Sequence, residues 1–233
     1  MGTSYVQLTA PERMGLTLLL VRALSQRAAA ARLDRDHIRV TAFWSGQPSL
    51  AENMVAPFGT LGMVNSGALG GLTFLDLQRR TDDMMPWNLR YYGKGGFLTG
   101  LDDRAIECTV ANVIYAPTSE ENIYLLQLGG TIADVDEEAT PYTGRSAGYY
   151  WIVGSVWKDA ADDAKILSWS RKAGGQMADI SMRGNYVNEQ GDANSDVARS
   201  AYGESKFARL TKLKCEYDPA NLFRLNQNIE PTP

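Results

Sequence analysis

Nine consecutive residues, Tyr149 to Trp157, constrain the fold more than any other segment of this chain. They are dense in aromatic and β-branched side chains, and the alternation of a strand sends Tyr150, Ile152, Gly154 and Val156 one way and Tyr149, Trp151, Val153, Ser155 and Trp157 the other. Both sets are largely apolar, so this strand is expected inside a sheet, with neighbours on either side and cover on both faces. A chain of 233 residues with 44% hydrophobic and 21% charged residues is long and apolar enough to build a core around it.

The other elements follow from periodicity. Met14, Leu18, Val21 and Leu24 recur at helical spacing within Ala10 to Ala31, and Ile38 to Trp44 reads as a strand that stops at Ser45-Gly46. A second helical stripe follows Ser49, with Leu50, Met54, Val55 and Phe58. Three glycines between Asn65 and Gly71, and Pro86 within Arg79 to Asn88, mark two surface connections. Asp102 is placed to cap a helix carrying Ile106, Val110 and Val113 that ends at Pro117. Strands are expected at Asn122 to Leu128, at Thr131 to Ala133 and at Met177 to Met182. Helices are expected over Asp159 to Lys172, ended by Gly174-Gly175, and over Glu204 to Glu216, where Phe207, Leu210, Leu213 and Tyr217 form a stripe. Strand spacing is irregular and no glycine fingerprint follows the first strand, which argues against a nucleotide-binding parallel sheet. The expected fold is α+β, a largely antiparallel sheet with helices packed on one face, as a single domain over 1–233.

Composition narrows the chemistry by exclusion. A formal charge of -4 and a pI near 5.1 do not suit a general grip on nucleic acid, and the apolar run Leu16 to Val21 is too short to span a bilayer. With no export signal seen, the default location is cytoplasmic. The sole histidine, His37, does not support a histidine metal cluster or a Ser-His-Asp triad, and Cys108 and Cys215 read as free thiols without metal spacing. The acidic pairs Asp82-Asp83, Asp102-Asp103 and Asp162-Asp163 suit turns and helix N-termini better than a metal site. No glycine pair falls into a phosphate-cradling pattern.

The stretch from Asn185 to Pro231 is the informative one. It holds Tyr186 and Asn188 in a Y-x-N element, Tyr202-Gly203 ahead of a helix with Arg209, Leu210, Leu213 and Lys214, and then Tyr217 to Ile229 as YDPANLFRLNQNI. This pattern resembles the C-terminal signature of berberine-bridge-enzyme-like FAD-linked oxidases, of the vanillyl-alcohol-oxidase type. Lys94 to Leu101 (KGGFLTGL), Gly129-Gly130, Thr140, Arg145 and Tyr149-Tyr150 resemble the substrate domain of the same family, so that the resemblance runs from about Ile38 onward.

The resemblance implies the substrate-binding half of a two-domain flavoprotein, with the N-terminal FAD-binding half expected to be missing, supplied in trans or lost. FAD is the implied cofactor, and its binding by this chain alone is expected to be weak. Tyr186 and Asn188 would lie beside the flavin, and Glu189, which follows the Y-x-N asparagine, is a candidate general base for an alcohol, phenol or related secondary metabolite. Tyr150 and Ile152 stand where plant relatives carry a Lys and a Gln, giving a less polar substrate wall. The implied partners are a small-molecule substrate and a flavin-binding domain in trans or a homo-oligomer. Alternative readings are a flavin-free metabolite-binding protein or cyclase and an inactive fragment. The tail residues Leu222, Phe223, Leu225 and Ile229 look too apolar for a free terminus, and Phe223 is expected to be buried.

Overall fold

The computed structural model describes residues 29–42, 73–79, 82, 86–192 and 195–232. Among these, five strands form one sheet: β1 (Ala29–Asp34), β2 (Ile38–Ala42), β3 (Arg90–Leu98), β4 (Asn122–Gln127) and β5 (Tyr149–Trp157). They lie in the order β2-β1-β4-β5-β3, and every pairing is antiparallel. Four α-helices accompany them: α1 (Phe74–Arg79), α2 (Asp103–Val113), α3 (Asp163–Ala178) and α4 (Ser195–Tyr217). The fold is α+β, as the sequence predicts, and β5 has a partner on each side.

The two faces of the sheet differ. Ala31, Leu33, Ile123, Leu125, Tyr149, Trp151 and Val153 point to one face and are buried there against Ala105, Ile106 and Val113 of α2 and Ala173 and Met177 of α3. Asp102 starts α2 by accepting a hydrogen bond from the Ala105 backbone N–H at 2.8 Å, which satisfies one of the free donors of the first turn. On the opposite face, Ile152, Gly154 and Val156 of β5 are only half-buried. A smaller apolar group, Phe97, Ala147 and Tyr150 with Leu126, Tyr142 and Met182, covers one end of that face. Among the described residues, the expectation that β5 is covered on both sides is met on the helix side and only at this end of the other.

Several boundaries differ from expectation for physical reasons. Ala29 to Ala31, expected to close a helix, are strand, because pairing with β2 and β4 and complete burial of Ala31 outweigh alanine's helical preference. The remainder of that helix, the second stripe after Ser49 and the loop at 65–71 lie outside the described residues. Gly174-Gly175 do not end α3 but sit inside it. A Cβ on Gly174 would come within 2.7 Å of the Lys94 side chain, so glycine there lets α3 settle against β3. Thr131 to Ala133 is not a strand: Gly130–Ile132 forms a single 3-10 turn. Met177 and Ala178 finish α3 and the following residues form turns, although Met182 still donates its N–H to the Phe97 carbonyl at 2.8 Å. The stripe expected on the last helix is buried only at Phe207, while Leu213 and Tyr217 are exposed.

Candidate functional site on the uncovered sheet face

Strand β3 is an edge strand, and its outward carbonyls need donors. Gly93 O accepts from the Gly191 N–H at 2.7 Å, Gly95 O from the Gln190 side-chain amide at 3.0 Å, and Phe97 O from the Met182 N–H. The segment 182–191 therefore runs along the edge of the sheet and carries Tyr186, Asn188 and Glu189 to the border of the uncovered face. Glu189 packs over Gly93: a Cβ there would sit in ordinary contact with the Glu189 carbonyl at 3.4 Å and its carboxyl Oε2 at 3.8 Å. Val187–Glu189 form a turn of 3-10 helix there.

Four aromatic rings meet here. Phe97 and Tyr150, cross-strand partners on β3 and β5, have ring centroids 5.2 Å apart; Tyr142 lies 6.1 Å from Phe97, and Tyr186 lies 6.1 Å from Tyr142 and 6.2 Å edge-on to Tyr150. These separations are those of favourable aromatic pairs. Asn188 donates its amide to the Tyr186 hydroxyl at 2.8 Å, and both side chains are exposed. Tyr150 is only 6% exposed, and its buried hydroxyl has no hydrogen-bond partner among the described residues. Burial first, and then the neighbouring Glu189, Tyr142 and Tyr186, push that hydroxyl's pKa up, so it stays protonated. Burial likewise raises the Glu189 carboxyl above its ordinary value.

The structure thus brings Tyr150, Tyr186, Asn188 and Glu189 together, and Ile152 lies one residue pair along β5 on the same face as Tyr150. Phe97 and Tyr142 complete the cluster and were not singled out by sequence; Phe97 stands within the quoted KGGFLTGL run, whereas nothing in the local pattern marks Tyr142. Tyr142 is held from behind. Its carbonyl accepts from Lys206 Nζ at 2.8 Å, and the Arg145 guanidinium lies 5.3 Å from its ring. Lys206, buried in α4, also donates to Glu137 at 2.8 Å. Burial alone would raise the Glu137 carboxyl, but the bonds from Lys206 and the Arg145 backbone outweigh it and hold the pKa below its usual value. Arg145 also donates to Thr140 Oγ1 at 2.7 Å, which joins two residues of the quoted family resemblance.

The tail is ordered but not docked as expected. Asp218 accepts from Lys214 and from the backbone N–H groups of Leu222 at 2.8 Å and Phe223 at 3.1 Å, while Lys214 also reaches the Phe223 carbonyl. Asn221 and Asn226 take left-handed backbone conformations that suit asparagine, with φ of 50° and 60°. This polar cage fixes the backbone without burying its side chains: Phe223 is 83% exposed, and Leu222 and Leu225 are exposed beside it. The expected burial of Phe223 is therefore wrong for this chain, because hydrogen bonds rather than apolar packing hold the tail. Replacing Phe223 with Ala should consequently leave the denaturant midpoint of the chain within the roughly 0.5 kcal/mol typical of surface changes. A loss of several kcal/mol in equilibrium unfolding would show that the ring is packed.

The fold, an antiparallel sheet backed by helices on one face, is shared with several solved structures. The fold matches 6-hydroxy-D-nicotine oxidase from Arthrobacter nicotinovorans with a TM-score of 0.75 at 18% identity, over 95% of this chain and 52% of that one. It matches berberine bridge enzyme from Eschscholzia californica with a TM-score of 0.72 at 17% identity, over 96% of this chain and 53% of that one. The family described as berberine and berberine-like matches residues 185–230. An FAD-linked oxidoreductase of Dictyostelium discoideum is 25% identical over 209 residues, which are 89% of this chain and 45% of that protein. A monolignol oxidoreductase of Arabidopsis thaliana is 30% identical over 116 residues, 43% of this chain and 21% of that protein. The chain is thus similar to FAD-linked oxidoreductases over most of its length, and its residues 185–230 match the berberine and berberine-like family. It spans about half the length of the relative from Dictyostelium and of the solved structures it matches.

Proposed function

We propose that this chain forms the substrate side of an FAD-dependent oxidoreductase acting on an alcohol, a phenol or a related secondary metabolite. A flavin-binding half, in the same polypeptide or another, would complete it. The observation that carries the reading is the juxtaposition of Glu189 with the Tyr150–Tyr186 cluster on the uncovered face: a carboxyl with a raised pKa beside flat aromatic surface.

The residues fit one side of a flat cofactor with polar edges. Tyr186 offers an exposed aromatic surface, and Asn188 an exposed amide that holds the Tyr186 hydroxyl and keeps an acceptor oxygen to spare. FAD, when bound, would accept hydride from a C–H next to oxygen. Glu189 would take the proton from the substrate hydroxyl, its burial keeping its basicity above that of an exposed glutamate. Tyr150 and Ile152 would form the substrate wall, with Tyr150 protonated and able to donate. The cage around Asp218 supports the same reading, because it presents Leu222, Phe223 and Leu225 as a fixed apolar surface suited to a second domain.

The test is reconstitution. Mixed with a flavin-binding half taken from a relative, the chain should co-elute as a yellow complex, whereas alone it should retain no flavin after denaturation and desalting. A flavin band that stays with the isolated chain through that treatment, or the failure of any flavin half to associate, would overturn the reading.

A further inference from the structure

The register of the sheet sets out a row of side chains across the uncovered face. Arg39 of β2 is the partner of Arg32 of β1, Arg32 of Tyr124 of β4, Tyr124 of Ile152 of β5, and Ile152 of Gly95 of β3. Partners directly opposite in antiparallel strands share a face. The neighbours Ala31, Leu33, Ile123 and Trp151 point to the helix side, so this row belongs to the same face as Tyr150.

Two features of the row are unusual together. Arg32 and Arg39 place like charges directly opposite each other, an arrangement that costs stability. Among the described residues neither guanidinium has a carboxylate partner: Arg35 pairs with Asp36 at 3.6 Å, and the Asp34 carboxyl is occupied within its own turn by the N–H groups of Asp36 and His37 at 2.9 and 2.7 Å. Arg32 is half-buried and Arg39 exposed, so the pair is open from the face rather than sealed into the sheet. Beside it, Tyr124 is half-buried, and burial raises its pKa, which keeps the hydroxyl neutral and leaves it no charge to repel an anion.

We propose that Arg32 and Arg39 form an anion subsite, and that the substrate is a small aromatic carboxylic acid whose carboxylate they hold. The inference rests on the reading that this face is the substrate side. Two guanidinium forks facing each other suit a planar, bidentate oxyanion, which neutralises the repulsion between them. Strands about 4.8 Å apart put the backbone of Arg32 about 10 Å, and that of Arg39 about 14 Å, from Ile152. One aromatic ring with a short carboxylate arm bridges that interval, with Tyr124 beneath the ring and the reacting carbon toward Ile152 and Glu189.

Binding to the full chain needs no flavin and tests the subsite by itself. The probes are 3-(4-hydroxyphenyl)propionate and the neutral 3-(4-hydroxyphenyl)propan-1-ol, which share a shape and differ in charge. By calorimetric titration at low salt, the acid should bind at least tenfold more tightly than the alcohol, and the preference should shrink as salt is raised. Arg32→Gln and Arg39→Gln should each remove most of the preference, whereas Arg35→Gln, at the neighbouring turn, should leave it intact. Unfolding midpoints of the two variants should not fall, because each relieves a like-charge contact, so a lost preference would not reflect a lost fold. Equal affinity for the two probes, no binding of either at millimolar concentration, or a preference that survives both substitutions would overturn the subsite. Absence of the preference in the unsubstituted chain while a yellow complex still forms would remove only the subsite. A retained preference without any complex would remove only the flavin reading.

Discussion

Substituting Gln for Glu189 is expected to slow flavin reduction in a reconstituted complex by on the order of a hundredfold or more, because the amide keeps the size and polarity of the side chain but takes no proton. Folding should not confound the comparison. Burial raises the Glu189 pKa in the folded chain above its unfolded value, so the folded state binds the proton more tightly. Stability contributed by the protonated form is then present below the unfolded-state value and declines as pH rises through the folded-state one. Above that window an ionised, half-buried Glu189 costs stability, and Gln removes the cost. The same shift sets the pH profile of the reaction: the rate should fall as pH drops through the raised Glu189 value, and this acid limb should vanish in the Gln variant. Stopped-flow reduction across pH decides it. A loss of only a few-fold, with the acid limb unchanged, would return Glu189 to the role of a polar residue packed over Gly93.

How much of this was legible in the sequence depends on where the controlling forces act. Glu189, Tyr186 and Asn188 were singled out because they lie within one short pattern. Phe97 and Tyr142 join the same cluster across roughly fifty to ninety positions of chain, where no local spacing reports them. Propensity hid two strands of the sheet: β1, which begins in residues expected to close a helix, and β3, which was assigned no element. In β3, Gly93, Gly95 and Gly96 mask the strand signal, since glycine weakens strands and offers no side chain to pack. Here the missing side chains are what the tertiary structure uses. A Cβ on Gly95 would fall 2.2 Å from the Tyr150 hydroxyl and 2.9 Å from the Trp151 carbonyl. Phe223 shows the converse error: apolar composition implied docking, but the cage around Asp218 could hold the backbone without it.

The strand pair β3–β5 is also where a single truncation should weaken the fold most. Trp151 is 1% exposed, the largest fully buried side chain among the described residues, and it sits among residues from the sheet and from α2 and α3. Its ring lies over Gly96, its cross-strand partner, where a Cβ would come within 2.8 Å of the indole. The indole N–H donates to Ser181 Oγ at 2.8 Å, and Ser181 in turn donates to the Met177 carbonyl at 2.7 Å, so the ring ties β5 to the end of α3. Replacing Trp151 with Ala removes the ring, the hydrogen bond and the cover over Gly96 at once, and no side chain on Gly96 can refill the space. The expected cost is about 3 to 5 kcal/mol, a large share of the roughly 5 to 15 kcal/mol that holds a domain folded. Because α3 and the 182–191 segment are joined through Ser181, the same change should loosen the border that carries Tyr186 and Glu189. Hydrogen exchange at Gly191 and Met182, whose N–H groups bond to β3, should accelerate together with global unfolding. A Trp151→Ala chain with an unchanged denaturant midpoint would mean that the sheet is held by the β1–β4 side alone; Trp151→Phe, which keeps most of the volume and loses the hydrogen bond, should fall between the two.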